Sequence, residues 1–141
     1  IDSIKEMTCP LTSEYGHILV VEDNRVNQRL IVSKLHKLNY SVEVAENGLE
    51  ALCKCENNSY DIILMDIMMP LMDGITATKE LRSKGVQTPI VALTANIFDK
   101  GKCLSAGMNG FITKPCYQHD LLKELQRWVF ISPETENCAS A

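Results

Sequence analysis

The stretch Asp61-Ile62-Ile63-Leu64-Met65-Asp66-Ile67-Met68-Met69-Pro70 constrains the fold more than any other part of the chain. Its apolar run, Ile62 to Met65, is bounded by Ser59-Tyr60-Asp61 and by Pro70, and reads as a strand buried on both faces in the middle of a parallel sheet. The run ends on Asp66, an acid that is costly at a buried strand end unless it is used. Open α/β sheets bind ligands at the carboxyl ends of their strands. What the remaining strands deliver to that edge therefore decides the chemistry.

His17-Ile18-Leu19-Val20-Val21 is a second such run, ending in Glu22-Asp23-Asn24. Side by side, the two strands bring Glu22, Asp23 and Asp66 together. Asn24 caps a helix expected over Arg25 to Leu38, with Val26, Leu30, Leu35 and Leu38 near one face and Arg25, Arg29, Lys34 and Lys37 toward water. Ser41 to Ala45 alternates as an outer strand should, and Asn47-Gly48 leads into a helix with Leu49, Leu52 and Cys53 inward. Asp73 is read as the cap of a third helix that buries Ile75, Thr78 and Leu81. Pro89 to Thr94 is the fourth strand and ends on a hydroxyl. Ile97 to Ala106 contains Gly101 and lacks an apolar stripe, so it is the weakest helix, and weakly held elements are those that move. Phe111 to Thr113 is the fifth strand, closed by Lys114-Pro115. Leu121, Leu122, Leu125, Trp128 and Val129 form the apolar face of the last helix.

Strands alternating with helices need right-handed crossovers and a parallel sheet covered on both faces. The expected fold is a doubly wound α/β domain with five parallel strands and five helices. It is expected over residues 17–130, with a linker or arm at 1–16 and a tail at 131–141. A net charge of −4 without a basic run argues against direct nucleic-acid binding. No apolar run approaches the roughly 18 to 20 residues of a spanning helix, and no charged-then-apolar leader opens the chain, so a cytoplasmic domain without membrane contact is expected. The six cysteines are scattered rather than set at ligand spacing, which reads as reduced, mostly buried thiols.

The strand ends contribute Glu22, Asp23, Asp66, Thr94 and Lys114 to one edge. Acids gathered there repel one another unless a cation compensates them, and one lysine is too few. Oxygen ligands with room for water suit Mg2+. A cation, a carboxylate, a hydroxyl and an amine are the parts of phosphoryl transfer, in which a carboxylate can be the nucleophile. In that scheme Asp66 attacks phosphorus, Asp23 holds the metal directly, Glu22 holds it through water, and Lys114 and Thr94 each take a phosphoryl oxygen.

In order and at matching spacing, Ile18 to Asn24, Asn27-Gln28, Ala45 to Ala51, Met65 to Gly74, Pro89 to Ala95 and Lys114-Pro115 resemble the receiver domain of two-component response regulators, most closely those of hybrid histidine kinases. The resemblance implies a flavodoxin-like strand order of 2-1-3-4-5. It implies that Asp66 is phosphorylated from a phosphohistidine, with Glu22, Asp23, Asp66 and the Met68 carbonyl as the Mg2+ shell and Mn2+ as a substitute, and that the domain catalyses its own phosphorylation and dephosphorylation. A cis Lys114-Pro115 bond is the family habit. Thr94 and Phe111 become the switch pair, with Phe111 in place of the usual tyrosine. Met68 and Asn96 tune the life of the acyl phosphate; Met68 cannot orient an attacking water and Asn96 can, so an intermediate lifetime is expected.

His17, His36 and His119 lack a partner motif, so the phosphohistidine belongs to a histidine kinase domain or a histidine phosphotransfer protein. That partner is expected to dock on the exposed side of the first helix near Val26, Asn27 and Leu30, with Pro115 nearby. The non-Met start, the missing output domain and the Glu22-Asp23-Asn24 with Asn27-Gln28 pattern favour a hybrid kinase as the parent. Two rivals remain. An aspartate-nucleophile phosphatase wants a second Asp two residues past the nucleophile, where Met68 stands. A phosphorylation-independent interaction module would not need every acidic, hydroxyl and lysine position filled.

Overall fold

A computed structural model describes residues 16–129. The expected arm, Gly16 excepted, and the expected tail lie outside the described residues. The elements run β1 (His17–Val21), α1 (Arg25–Lys37), β2 (Ser41–Ala45), α2 (Gly48–Asn57), β3 (Ile62–Asp66), α3 (Gly74–Ser83), β4 (Ile90–Thr94), a 3-10 turn (Ile97–Asp99), α4 (Lys100–Ala106), β5 (Gly110–Thr113) and α5 (Gln118–Trp128). All four strand pairings are parallel. The five-stranded sheet has the order β2-β1-β3-β4-β5. The chain thus reverses its direction of winding between β1 and β3, which is the fold and strand order anticipated.

Short polar side chains start α1, α2 and α3. Asn24 accepts from the N–H of Asn27 at 3.0 Å, Asn47 from Glu50 at 2.9 Å and Asp73 from Thr76 at 2.8 Å. Each satisfies an amide that the first helical turn leaves without a partner. Alternate residues of the central strands feed two separate cores. Ile18, Val20, Ile62 and Leu64 pack under Ile31 and Leu35 of α1 and Leu121 and Leu125 of α5. Leu19, Val21, Ile63 and Met65 pack under Ala51 of α2, Ala77 and Leu81 of α3 and Cys103 of α4. Every residue of β3 and β4 is buried, so both are strands closed on each face.

Several sequence expectations about helix faces change. Val26 and Leu30 are 64% and 53% exposed, and α1 instead buries Ile31 and Leu35. Residues 25–30 of α1 are exposed or half-buried, and none of them belongs to either core. In α2, Leu49 and Cys53 are exposed, and the inward residues are Gly48, Ala51 and, in part, Leu52 and Cys55. Among the described residues the four thiols are free but divided: Cys103 and Cys116 are buried, Cys55 half-buried and Cys53 exposed. β2 does not alternate cleanly, since its first four residues are all half-buried. The segment read as the weakest helix is broken into a 3-10 turn and seven residues of α-helix. It is pinned at its far end, where Gly107 takes a left-handed φ of 109°. There Arg82 donates to the carbonyls of Gly107, Val86 and Thr88 at 2.8–3.0 Å and to Asn109 Oδ1 at 2.8 Å.

Candidate functional site

Pairing of β1 with β3 aligns Val21 with Met65, so Glu22 and Asp23 leave β1 beside Asp66. One carboxylate oxygen from each of the three lies within 4.8 Å of the others. Glu22 and Asp66 are buried and Asp23 is exposed. Asp66 Oδ1 accepts from the backbone N–H of Met68 at 3.2 Å, and Glu22 Oε2 from that of Asn24 at 3.1 Å. The start of α3 closes tightly on the end of β3: a Cβ on Gly74 would strike the backbone carbonyl of Asp66. Glycine is required there by close approach.

Lys114 follows β5 and reaches across the sheet edge. Its Nζ donates to Glu22 Oε1 and to Asp66 Oδ2, both at 3.1 Å. Burial works against its charge, but the Asp66 and Glu22 carboxylates outweigh it and hold the ammonium above its usual pKa. Burial pushes the Glu22 carboxyl up, helped by the charge on Asp66 and opposed by the Asn24 amide and by Lys114. The Lys114-Pro115 peptide is cis, as the family resemblance implies.

Thr94 is buried at the end of β4. Its hydroxyl donates to Asp99 Oδ2 at 2.9 Å and accepts from the Asn96 N–H at 3.1 Å. Asn96 Oδ1 accepts from the Phe98 N–H at 2.9 Å, which caps the 3-10 turn. A cavity of about 270 Å³ is lined by Glu22, Asp23, Asp66, Met68, Thr94, Asn96 and Lys114, the whole predicted reaction set, together with Asn24, Asn27, Ile67, Ala95 and Asp99. Phe111 does not line it; the ring is half-buried against the core beneath α3 and α4. A groove of about 370 Å³ opens beside the cavity, lined by Asn27, Leu30, Ile31, Lys34, Pro115 and Cys116 along with Glu22 and Lys114. Three of the four predicted docking residues therefore share one groove, and exposed Val26 sits on the same helix. Lys34 closes the groove's floor by donating to the Cys116 carbonyl at 2.6 Å.

Sequence reasoning missed two residues. Asp99 enters the site only because the 3-10 turn folds it back onto Thr94; its one signal was an acid five residues past the hydroxyl. His17 was read as partnerless, yet its ring meets Ser41 Oγ at 2.6 Å and Glu43 at 3.0 Å and stacks on Tyr60. That cluster lies at the opposite, amino edge of the sheet. The three carboxylates form an all-oxygen donor set with one ammonium against them, and this fits a hard divalent cation with retained waters rather than a soft one. Among the described residues no helix is long and apolar enough to cross a membrane.

A parallel sheet in this order, with acids, an amine and a hydroxyl gathered where the winding reverses, defines a flavodoxin-like α/β domain with its site at the topological switch point. The response regulator receiver domain family matches residues 18–126. The chain belongs to that family and is a receiver domain of two-component phosphorelay signalling. It is 43% identical over 132 residues to Histidine protein kinase 1 of Candida albicans, covering 83% of this chain and 5% of that kinase. A receiver domain of the sensor histidine kinase PA1611 from Pseudomonas aeruginosa, solved with magnesium coordinated in its active-site cleft, is 44% identical with a TM-score of 0.75, covering 81% of this chain and 97% of that one. The receiver domain of Ssk1 from Saccharomyces cerevisiae, solved with the histidine phosphotransfer protein Ypd1, is similar at 35% identity and a TM-score of 0.76, over 81% of this chain and 90% of that one.

Proposed function

We propose that Asp66 is the phosphoacceptor of this receiver domain. A carboxylate oxygen of Asp66 attacks the phosphorus of a phosphohistidine, the P–N bond breaks, an acyl phosphate forms, and the imidazole leaves and takes up a proton. The observation that carries this reading is Lys114 Nζ placed 3.1 Å from both Asp66 and Glu22 beside a third carboxylate, Asp23. Lys114 neutralises an equatorial phosphoryl oxygen, and Thr94, on the cavity wall, donates to another. Glu22, Asp23, Asp66 and the Met68 carbonyl would hold Mg2+, with Mn2+ as a substitute. When bound, the cation supplies the positive charge that lets an anionic phosphoryl group approach carboxylates.

Thr94 and Phe111 carry the change outward to α4 and β5, and Met68 and Asn96 set the life of the acyl phosphate. The donor is a histidine kinase domain or a histidine phosphotransfer protein, to which the phosphoryl group can also be returned. It docks in the groove at Asn27, Leu30 and Pro115 and against Val26, a placement supported by the apolar exposure there. Residues 17–130 act as the receiver, within a hybrid histidine kinase.

The test is incubation with acetyl phosphate or a phosphorylated phosphotransfer protein, with and without Mg2+, in wild type and Asp66→Asn. Label that needs both Mg2+ and Asp66 is expected. Label unchanged by the substitution would refute the assignment.

A further inference from the structure

Asp99 occupies the residue before α4 yet makes no capping bond to that helix. An Asp in this place ordinarily turns its oxygens to the free amides of the first turn. Here the 3-10 turn runs directly into α4 with Asp99 in helical backbone, φ −77° and ψ −6°, and the carboxylate instead accepts a hydrogen bond from the Thr94 hydroxyl at 2.9 Å. A threonine hydroxyl has one proton to give. The Asn96 carbonyl, at 3.4 Å, is a longer second acceptor, and while Asp99 holds the proton in the shorter, charge-assisted bond it is not available to a group on Asp66. Asp99 also adds a fourth carboxylate to a cavity wall that already carries Glu22, Asp23 and Asp66.

We propose that Asp99 is a positioning residue: its carboxylate latches the Thr94 hydroxyl in the unmodified domain and must release it before that hydroxyl can serve a phosphoryl group on Asp66. This rests on Asp66 as the acceptor. The phosphoryl oxygens and Asp99 compete for one proton, so modification at Asp66 frees the start of α4 from β4. Since Asp99 is also the last residue of the 3-10 turn, its release lets exposed Ile97 and Phe98 move with it.

Two measurements test the latch. In the unliganded protein, the Thr94 methyl resonance should shift in Asp99→Ala, because the side chain loses the bond that fixes its rotamer; an unchanged resonance overturns the latch without reference to any phosphoryl chemistry. Binding of beryllofluoride with Mg2+, a phosphoryl mimic, should be about tenfold tighter in Asp99→Ala, or about 1.4 kcal/mol. Asp99→Asn, which keeps an oxygen acceptor without the charge, should fall between. The cycle with Thr94→Val separates the latch from plain charge repulsion. With the hydroxyl gone, most of the Asp99→Ala gain should vanish. A gain equally large in both backgrounds, with binding still dependent on Asp66, overturns the latch alone. Binding that survives Asp66→Asn overturns the acceptor reading and the latch's role with it.

Discussion

Glu43 shows how a single side chain can tie β1 and β2 to the loop before β3 near the amino edge of the sheet. His17 Nε2 lies 3.0 Å from its Oε2, the Tyr60 hydroxyl donates to its Oε1 at 2.9 Å, and Lys54 stands 3.7 Å away. The His17 bond, then the Tyr60 bond, holds the Glu43 carboxyl below its usual pKa against burial, and burial together with Glu43 pushes the Tyr60 hydroxyl up. Because the folded pKa of Glu43 is depressed, its contribution is fully present above the unfolded value of 4.5 and is lost as pH falls through the folded one. Glu43→Gln should therefore flatten the acid limb of stability. The effect should stay below about 1 kcal/mol because the side chain is about one-third exposed. Urea midpoints at about pH 3 and about pH 7 check this; identical pH slopes in variant and wild type would refute it. Asp66, Glu22, Asp23, Lys114 and Thr94 were legible because each ends a strand or follows one, and strand ends in a parallel sheet share an edge. Asp99 and the His17 cluster were not, since both depend on how non-adjacent segments fold back on each other.

Among the elements, α1 is the one whose sequence pattern misleads and whose structure explains why. Its apolar residues are spread too widely for one buried stripe: Ile31 and Leu35 serve the core, while Leu30 lines the groove beside Lys114 and Pro115 and Val26 stands exposed one turn before it. A residue with nothing beneath it contributes little to stability and is available to a partner. Val26→Ala should leave the unfolding midpoint unchanged. It should slow transfer from a phosphorylated phosphotransfer protein by about five- to tenfold, near 1 kcal/mol, as truncation of an apolar interface anchor does. Phosphorylation by acetyl phosphate serves as the control; a matching loss there would mean that the substitution harms the site rather than docking. The helix starts were read well, because Asn24, Asn47 and Asp73 carry a local hydrogen-bonding signal that needs no tertiary context. The inward faces of α1 and α2 were not, because which stripe is covered depends on where the sheet ends.

At the scale of the molecule, the alternation of strands and helices fixed a parallel sheet covered on both sides, whereas the order β2-β1-β3-β4-β5 came from family likeness, since alternation alone permits other windings. That order puts the most acidic part of the site between β1 and β3, and the fold carries its electrostatic cost whenever no cation is bound. Mg2+ at ten times its dissociation constant should therefore add about 1.4 kcal/mol to unfolding stability. Calorimetry of wild type and an Asp23→Asn, Asp66→Asn double variant reads this, and an equal rise in both would place the cation elsewhere. The same arrangement makes α4 a lever. Arg82 ties its far end, through the Gly107 carbonyl and Asn109 Oδ1, to the loop before β4, through the Val86 and Thr88 carbonyls, while its near end hangs on Thr94 through Asp99. A seven-residue helix is about 10 Å long, so a displacement of about one ångström at the near end turns it by several degrees about a fixed fulcrum. A hydrogen bond redirected at one hydroxyl is thereby geared into a rotation of surface that another molecule can feel.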